Sequence, residues 1–243
     1  MPSLTGWMQS QPFGGFASST EASAHVGALA VSADGRKFRF VKVGAVALVV
    51  GNAIQSRAQD TDHDDITVRV TEAGALDLLI TTGSGGGALD ANEYAQGIAV
   101  IDTTPGLGYA YTISSHDAIA ASTNGALRLV SADPIQVALT ASSKVTLCAN
   151  LYDGVIQHPV TTATGVCIGG AIYPIAAGSY GWIQSGGLGA ALIAGTPAVG
   201  QPVTSVGAVA GALSVHSAEL NIVACMAVTG RDGKVLPVQW VID

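Results

Sequence analysis

Asp60-Thr61-Asp62-His63-Asp64-Asp65 is the stretch whose residue types and spacing come nearest to a ligand set. Side-chain oxygens at alternate positions are how a calcium loop begins. The pattern departs where such a loop needs glycine, because Asp65 stands there, and Glu72 falls one residue beyond the place of the closing acid. A solvated acidic loop is the expectation, with an ion site, or acids facing a basic patch on a partner, as alternatives. His25, His63, His116, His158 and His216 are far apart and share no metal spacing. Ser84 lies in Thr82-Gly83-Ser84-Gly85-Gly86, with Thr82 where a nucleophile elbow has its first glycine. Gly85, Gly86 and Gly87 run into Ala88-Leu89-Asp90 rather than a helix, so they make no phosphate-binding loop. Cys148, Cys167 and Cys225 are odd in number and lack Cys-x-x-Cys spacing, which reads as three small buried hydrophobes. The chain is therefore expected to have no catalytic residues, no cofactor and no metal, and not to be an enzyme.

Other residues suggest contact rather than reaction. Arg36, Lys37, Arg39 and Lys42 are four of the ten basic residues. On a strand, Lys37 and Arg39 project from the face opposite Phe38 and Phe40. They make either a solvated outer face or a positive spot for docking on an acidic protein surface. Residues 1–23 are small and polar, with isolated aromatics at Trp7, Phe13 and Phe16. They read as an extended arm anchored through those rings, with a disordered tail as the alternative. The partner-contact candidates are thus Trp7, Phe13, Phe16, Arg36, Lys37 and Arg39.

Composition narrows the partners. The 243 residues are 49% hydrophobic but only 11% charged, against about 25% charged in an ordinary soluble domain. From Gly154 to Ala218 there is no Asp, Glu, Lys or Arg. Such a surface suits a protein partly covered by neighbours. The net charge of -7 argues against sequence-independent nucleic-acid binding, which needs a basic face. The N-terminus shows no basic region followed by an apolar one, so no secretory signal is expected. The apolar runs Gly44–Ile54 and Gly186–Gly200 are broken by Gly or Pro and are short of the roughly 20 residues of a membrane span.

The elements that must position these residues are strands. No segment sustains helical periodicity with good helix formers, and glycine is frequent throughout. Short alternating or apolar runs at 66–70, 76–80, 98–101, 109–113, 127–131, 134–140, 144–151, 221–228 and 235–242 predict strands between Gly turns. One pattern recurs. Val26–Val31 matches Ile168–Tyr173, Phe38–Gly44 matches Tyr180–Gly186, and Val50–Ser56 matches Val199–Ser205. Aromatic, any residue, aromatic, aliphatic, long polar, any residue, glycine is a specific combination, and it predicts a duplicated β-hairpin unit. The expected organisation is an arm at 1–23, a β domain at 24–160 and a β region at 161–243, the last two separate or continuous. The fold class is all-β: a short-stranded barrel or sandwich, jelly-roll or tulip-like, with an extended N-terminal arm.

The runs VGALAVSADGRKFRFVKVGAVALVVGNAIQS (26–56) and ANEYAQGIAVIDTTPGLGYAYTISSH (91–116) resemble virion structural proteins of tailed bacteriophages, and more narrowly capsid decoration (cement) proteins. The resemblance covers residues 24–116 and, through the repeat, 165–242. It implies a β-rich protein on the outside of an expanded icosahedral capsid, bridging major-capsid subunits as a homotrimer, or a dimer, with no membrane or nucleic-acid partner. Several such proteins reach across the shell with an N-terminal arm. The rival expectation is a head-fibre or tail protein binding host glycan, for which Tyr180 and Trp182 would be the stacking residues. Their repeat counterparts Phe38 and Phe40 suggest packing instead.

Overall fold

The computed structural model of this chain describes residues 18–160, 162–205, 207–216, 223–229 and 231–243. Trp7, Phe13 and Phe16 lie outside them. Among the described residues the fold is all-β, with no α-helix. The strands are β1 (Leu29–Val31), β2 (Lys37–Val43), β3 (Ala53–Gln55), β4 (Ile66–Val68), β5 (Asp77–Thr81), β6 (Ile98–Ile101), β7 (Ala110–Ser115) and β8 (Asn124–Leu129), then β9 (Lys144–Cys148), β10 (Asp153–Gln157), β11 (Cys167–Ala171), β12 (Tyr180–Ala194), β13 (Pro202–Thr204), β14 (Leu213–Val215), β15 (Val223–Ala227) and β16 (Lys234–Val241).

The chain divides into two compact units: Gln59–Asn150, and the chain up to Ala58 together with Leu151–Asp243. The boundary that the sequence suggests near residue 160 therefore falls instead at 58 and 150. The two copies of the repeated hairpin belong to one unit because their strands pair with each other.

Gln59–Asn150 is a closed six-stranded antiparallel barrel in the order β4-β5-β8-β7-β6-β9. Each strand turns two residues inward at alternate positions, from Ile66 and Val68 on β4 to Val145 and Leu147 on β9. That is the period-two pattern of a strand with one buried face. The segment 134–140, read as a strand, is not one. Pro134 has no N–H to give a ladder, and the apolar residues Ile135 and Leu139 stand four apart. Each pairs only locally: Leu139 exchanges both backbone hydrogen bonds with Thr71 as an isolated bridge, Ile135 N–H donates to the Ala75 carbonyl while its own carbonyl accepts from Gly74 N–H, and both side chains join the barrel core.

The other unit is a ten-stranded sheet that closes on itself twice. Its order is β1-β2-β10-β3-β11-β12-β14-β13-β15-β16, and the additional pairings β2–β12 and β12–β16 complete two five-stranded rings that share β12. Val41, Val43, Leu48, Ile54, Ile168 and Ile183 belong to one core. Ala53, Cys167, Ala191, Val203, Val238 and Trp240 belong to the other. β3 and β11 supply residues to both. For that reason their residues are buried without alternation. It also explains their small residues: a Cβ on Gly170 would run into the Trp240 indole.

β12 changes partner in mid-course. Its first half pairs with β2, Trp182 opposite Phe40 and Gln184 opposite Phe38; its second half, from Gly186 to Ile193, pairs with β16. The register shifts between Gln184 and Gly186. Gly187 takes φ +82°, a left-handed conformation that suits glycine. The buried Gln184 amide donates toward the carbonyls of Gly186, Gly187 and Leu188 at 3.1, 3.3 and 3.0 Å, satisfying backbone groups that the bulge releases from the ladder.

Candidate interaction surface

The repeat meets itself at one residue pair. Phe40 and Trp182, equivalent in the two copies, are direct cross-strand partners, so the matched strands run antiparallel about a local twofold at that pair. Their rings meet edge to face at 5.1 Å, and Tyr180 stacks on Phe40 at 6.0 Å. Such pairs add about 0.5–1.5 kcal/mol beyond the area they bury. Trp182 is 8% exposed, which leaves little indole face for stacking on a sugar. Ser19 bridges to Tyr180 through reciprocal backbone hydrogen bonds of 3.1 and 2.7 Å, so the chain leaves the described structure beside this cluster.

The basic cluster is matched by carboxylates of its own unit. Arg36 Nε lies 2.7 Å from Asp34, and its guanidinium 5.9 Å from the Phe38 ring centre. Arg39 bonds Asp243 at 2.8 and 3.0 Å and the Gly27 carbonyl at 2.9 Å, and its guanidinium covers the Tyr152 ring. Lys42 Nζ lies 3.7 Å from Asp153. The hydrogen bond from Arg39 holds the Asp243 carboxyl below its ordinary range, with Lys37 adding to the effect. Lys37 and Arg39 do lie opposite Phe38 and Phe40, but the cluster is a mixed-charge surface rather than a lone positive spot.

The histidines of the barrel are committed. The Tyr94 N–H donates to His116 Nε2 at 3.1 Å, which puts the His116 proton on Nδ1, 2.9 Å from the Asp117 carbonyl. His63 Nε2 faces the Ala88 carbonyl at 3.2 Å, so Nδ1 accepts from the Tyr94 hydroxyl at 2.5 Å. Neither ring keeps a nitrogen for a hydroxyl nucleophile. His116 borders a shallow cleft of about 330 Å³ with Asp77, Asn92, Ser115, Asp117 and Arg128. There the Arg128 guanidinium already holds Asp77 at 2.8 and 2.9 Å.

The acidic loop forms a 3-10 turn in place of a calcium loop. Asp60 caps it by accepting from the Asp62 N–H at 3.0 Å, and the Gln59 amide donates to Asp64 at 3.1 Å. Among the described residues no group of three or more His, Cys, Asp or Glu is placed to hold a metal ion. Cys167 and Cys225 are buried free thiols, and burial pushes both up.

Charge is segregated between the units. Gln59–Asn150 carries eleven acidic and three basic residues, a net of -8; the rest carries six acidic and seven basic, a net of +1, which makes up the chain's -7. Thirteen of the eighteen large hydrophobic side chains that stand exposed among the described residues lie in that near-neutral unit. Several share one face. Opposite the core-facing residues of β12 and β16, the pairs Leu188–Gln239, Ala190–Pro237 and Leu192–Val235, and Val241 beyond them, point outward. Met226 and Val228 continue the face beside Gln239 and Pro237. The sequence marks Gly186–Gly200 as apolar, but which residues point outward was not legible until the partner of β12 was known. Comparison with protein-family models, with curated proteins and with solved structures gives no match.

Proposed function

We propose that this chain is a non-enzymatic structural protein of a virion, binding the outer surface of the expanded capsid and bridging neighbouring capsid subunits as a homo-oligomer of three copies, or two. The observation that carries this reading is the near-neutral double-ring unit, which exposes thirteen valine and leucine side chains among the described residues while the chain's net negative charge sits in the barrel. A surface of that kind gains by being covered. The resemblance of residues 24–116 to capsid decoration proteins supplies the partner, the major capsid protein. The segment preceding Ser18, with Trp7, Phe13 and Phe16, could span up to about 60 Å if extended, enough to reach a neighbouring subunit. Modest contacts repeated over a shell gain strength by multivalency, which would oppose the outward pressure of packaged DNA. The rival reading, host-glycan binding at Tyr180 and Trp182, draws no support from a buried Trp182.

The test is binding to expanded, empty capsids, followed by reconstruction of the complex. The expected result is saturation at a fixed ratio, with density straddling capsomers. Binding to cells or glycans with none to capsids would overturn the reading. Removing residues 1–17 is expected to weaken capsid binding while the far-ultraviolet spectrum is unchanged; equal affinity would remove the arm from the account.

A further inference from the structure

The geometry points to a seat for the chain's own N-terminal segment, residues 1–17, on the aromatic cluster of Phe38, Phe40 and Trp182. The inference concerns the free chain and does not rest on the capsid reading.

The three rings belong to neither ring core. Phe38 and Phe40 alternate on β2 with Val41 and Val43, and Trp182 adjoins Ile183 on β12; those neighbours fill the first core. The aromatic side chains therefore stand on the outer face of the sheet. They are nonetheless only 1%, 2% and 8% exposed. Part of the cover is visible. Ser19 bonds the edge of β12 at Tyr180, and Gly27 donates to the Phe40 carbonyl at 2.7 Å on the far edge of β2. Residues 20–26 thus cross both strands over the aromatic face as a strap, with Ala24 against the cluster. Thr20, Glu21, Ala22, Ser23 and His25 of the strap face solvent. Ala28, Ile172, Tyr173 and Tyr180 close the sides of the cluster. Rings of this size bury about 150–250 Å² each, and the methyl of Ala24 does not cover three of them.

Tether, spacing and composition name what completes the cover. Ser18 Oγ accepts from the Ala176 N–H at 3.2 Å, and Tyr180, held by Ser19, stacks on Phe40. Residues 1–17 therefore begin at the border of the cluster. Phe16 and Phe13 stand two and five residues before Ser18, a reach of roughly 7 and 17 Å. The ring centres of the cluster lie 5.1 and 6.0 Å apart, well within that reach. Gly14-Gly15 lets the chain turn so that both rings face one way. The segment holds no Asp, Glu, Lys or Arg, so laying it on the cluster desolvates no charged side chain. A tether this short gives an effective concentration on the order of millimolar, which a capsid protein or a second copy has to outcompete.

The experiment makes Trp182 the sole reporter, in the chain carrying Trp7→Phe/Trp240→Phe, and measures acrylamide quenching with and without residues 1–17. Trp182 is expected to be shielded in the full-length chain. Truncation should raise quenching several-fold and move the emission to longer wavelength, with the far-ultraviolet spectrum retained. Phe13→Ser/Phe16→Ser in the full-length reporter is expected to do the same, and carries the test should the truncated chain not fold. Should the reporter chain itself not fold, the otherwise unaltered chain and its Phe13→Ser/Phe16→Ser variant are compared by binding of anilinonaphthalene sulfonate, with more dye expected on the variant. Equal quenching, or equal dye binding, would overturn the inference, because the strap and its neighbours would then close the cluster alone. Shielding that is lost on dilution would also overturn it, by assigning the seat to the segment of another copy. Capsid affinity of the same chains separates the two readings. Shielding with capsid affinity unchanged by truncation leaves this inference standing and removes the segment from the capsid contact. An unshielded Trp182 with capsid affinity weakened by truncation does the reverse.

Discussion

The barrel and the double ring solve the same problem in opposite ways. The barrel gives every strand one core and one outer face, so apolar and polar residues alternate and its outside can carry a net charge of -8. In the double ring β3 and β11 serve two cores, and β12 serves one core along its first half and the other along its second. Strands between two cores need small residues, and the glycine and alanine that supply them leave little side chain for charge. The near-neutral character of this unit is thus partly a packing consequence.

The contrast breaks first at Trp240, a fully buried side chain set against the backbone of β11. Trp240→Ala is expected to cost about 3–5 kcal/mol in denaturant unfolding. Trp240→Phe should cost much less, since the indole N–H has no hydrogen-bond partner to lose. Equal losses would mean that the indole is not what fills the second core. A smaller effect is expected from the reverse change. Gly170→Ala drives a methyl into Trp240 and should destabilise by about 1–3 kcal/mol, whereas Gly83→Ala in the barrel unit, with open space around it, should be nearly neutral. If both were neutral, the claim that β11 must be small between two cores would fail.

Strand alternation made most of the barrel's strands legible in sequence, because each has a single buried face, but not their closure into a unit of their own. The double ring was legible only as a repeated hairpin. Cys167–Ala171 is buried without alternation, and Ser185-Gly186-Gly187 is a bulge inside a continuous strand. Nothing in the repeat signals that its copies pair through Phe40 and Trp182, or that a barrel is inserted between them. Of the candidate site residues, the opposed faces of β2 were readable from period two. The carboxylates that match the basic cluster were not, since Asp243 lies two hundred residues from Arg39.

Weaker tests sharpen the comparison. In the barrel, Tyr94→Phe removes the hydroxyl that donates to His63 Nδ1 and is expected to cost about 1–3 kcal/mol by stranding a buried acceptor. In the double ring, burial lowers the His158 pKa below its ordinary value. The unfolded imidazole takes up its proton near pH 6.5 while the folded one stays neutral. Stability from this group is therefore complete above that value and lost as pH falls through the lower folded pKa. The melting temperature should drop on going from neutral to mildly acidic buffer, and less steeply in His158→Asn; an unchanged slope would show that His158 does not set it. Smallest of all, Arg39→Ala breaks a partly exposed pair with Asp243 and should cost under about 1 kcal/mol, with the loss shrinking in high salt.

The insertion also sets an order of events on the ribosome. Gln59–Asn150 is continuous in sequence, so the barrel can close once its own residues have emerged. β2 and β3 are made before it, yet their ring partners β10, β11 and β12 are made only after it. Phe38, Phe40 and Ile54 must then wait, without their cores, while about a hundred further residues are added, at roughly 5–20 per second. The nascent double ring is thus open to capture by chaperones for several seconds, and the barrel is not.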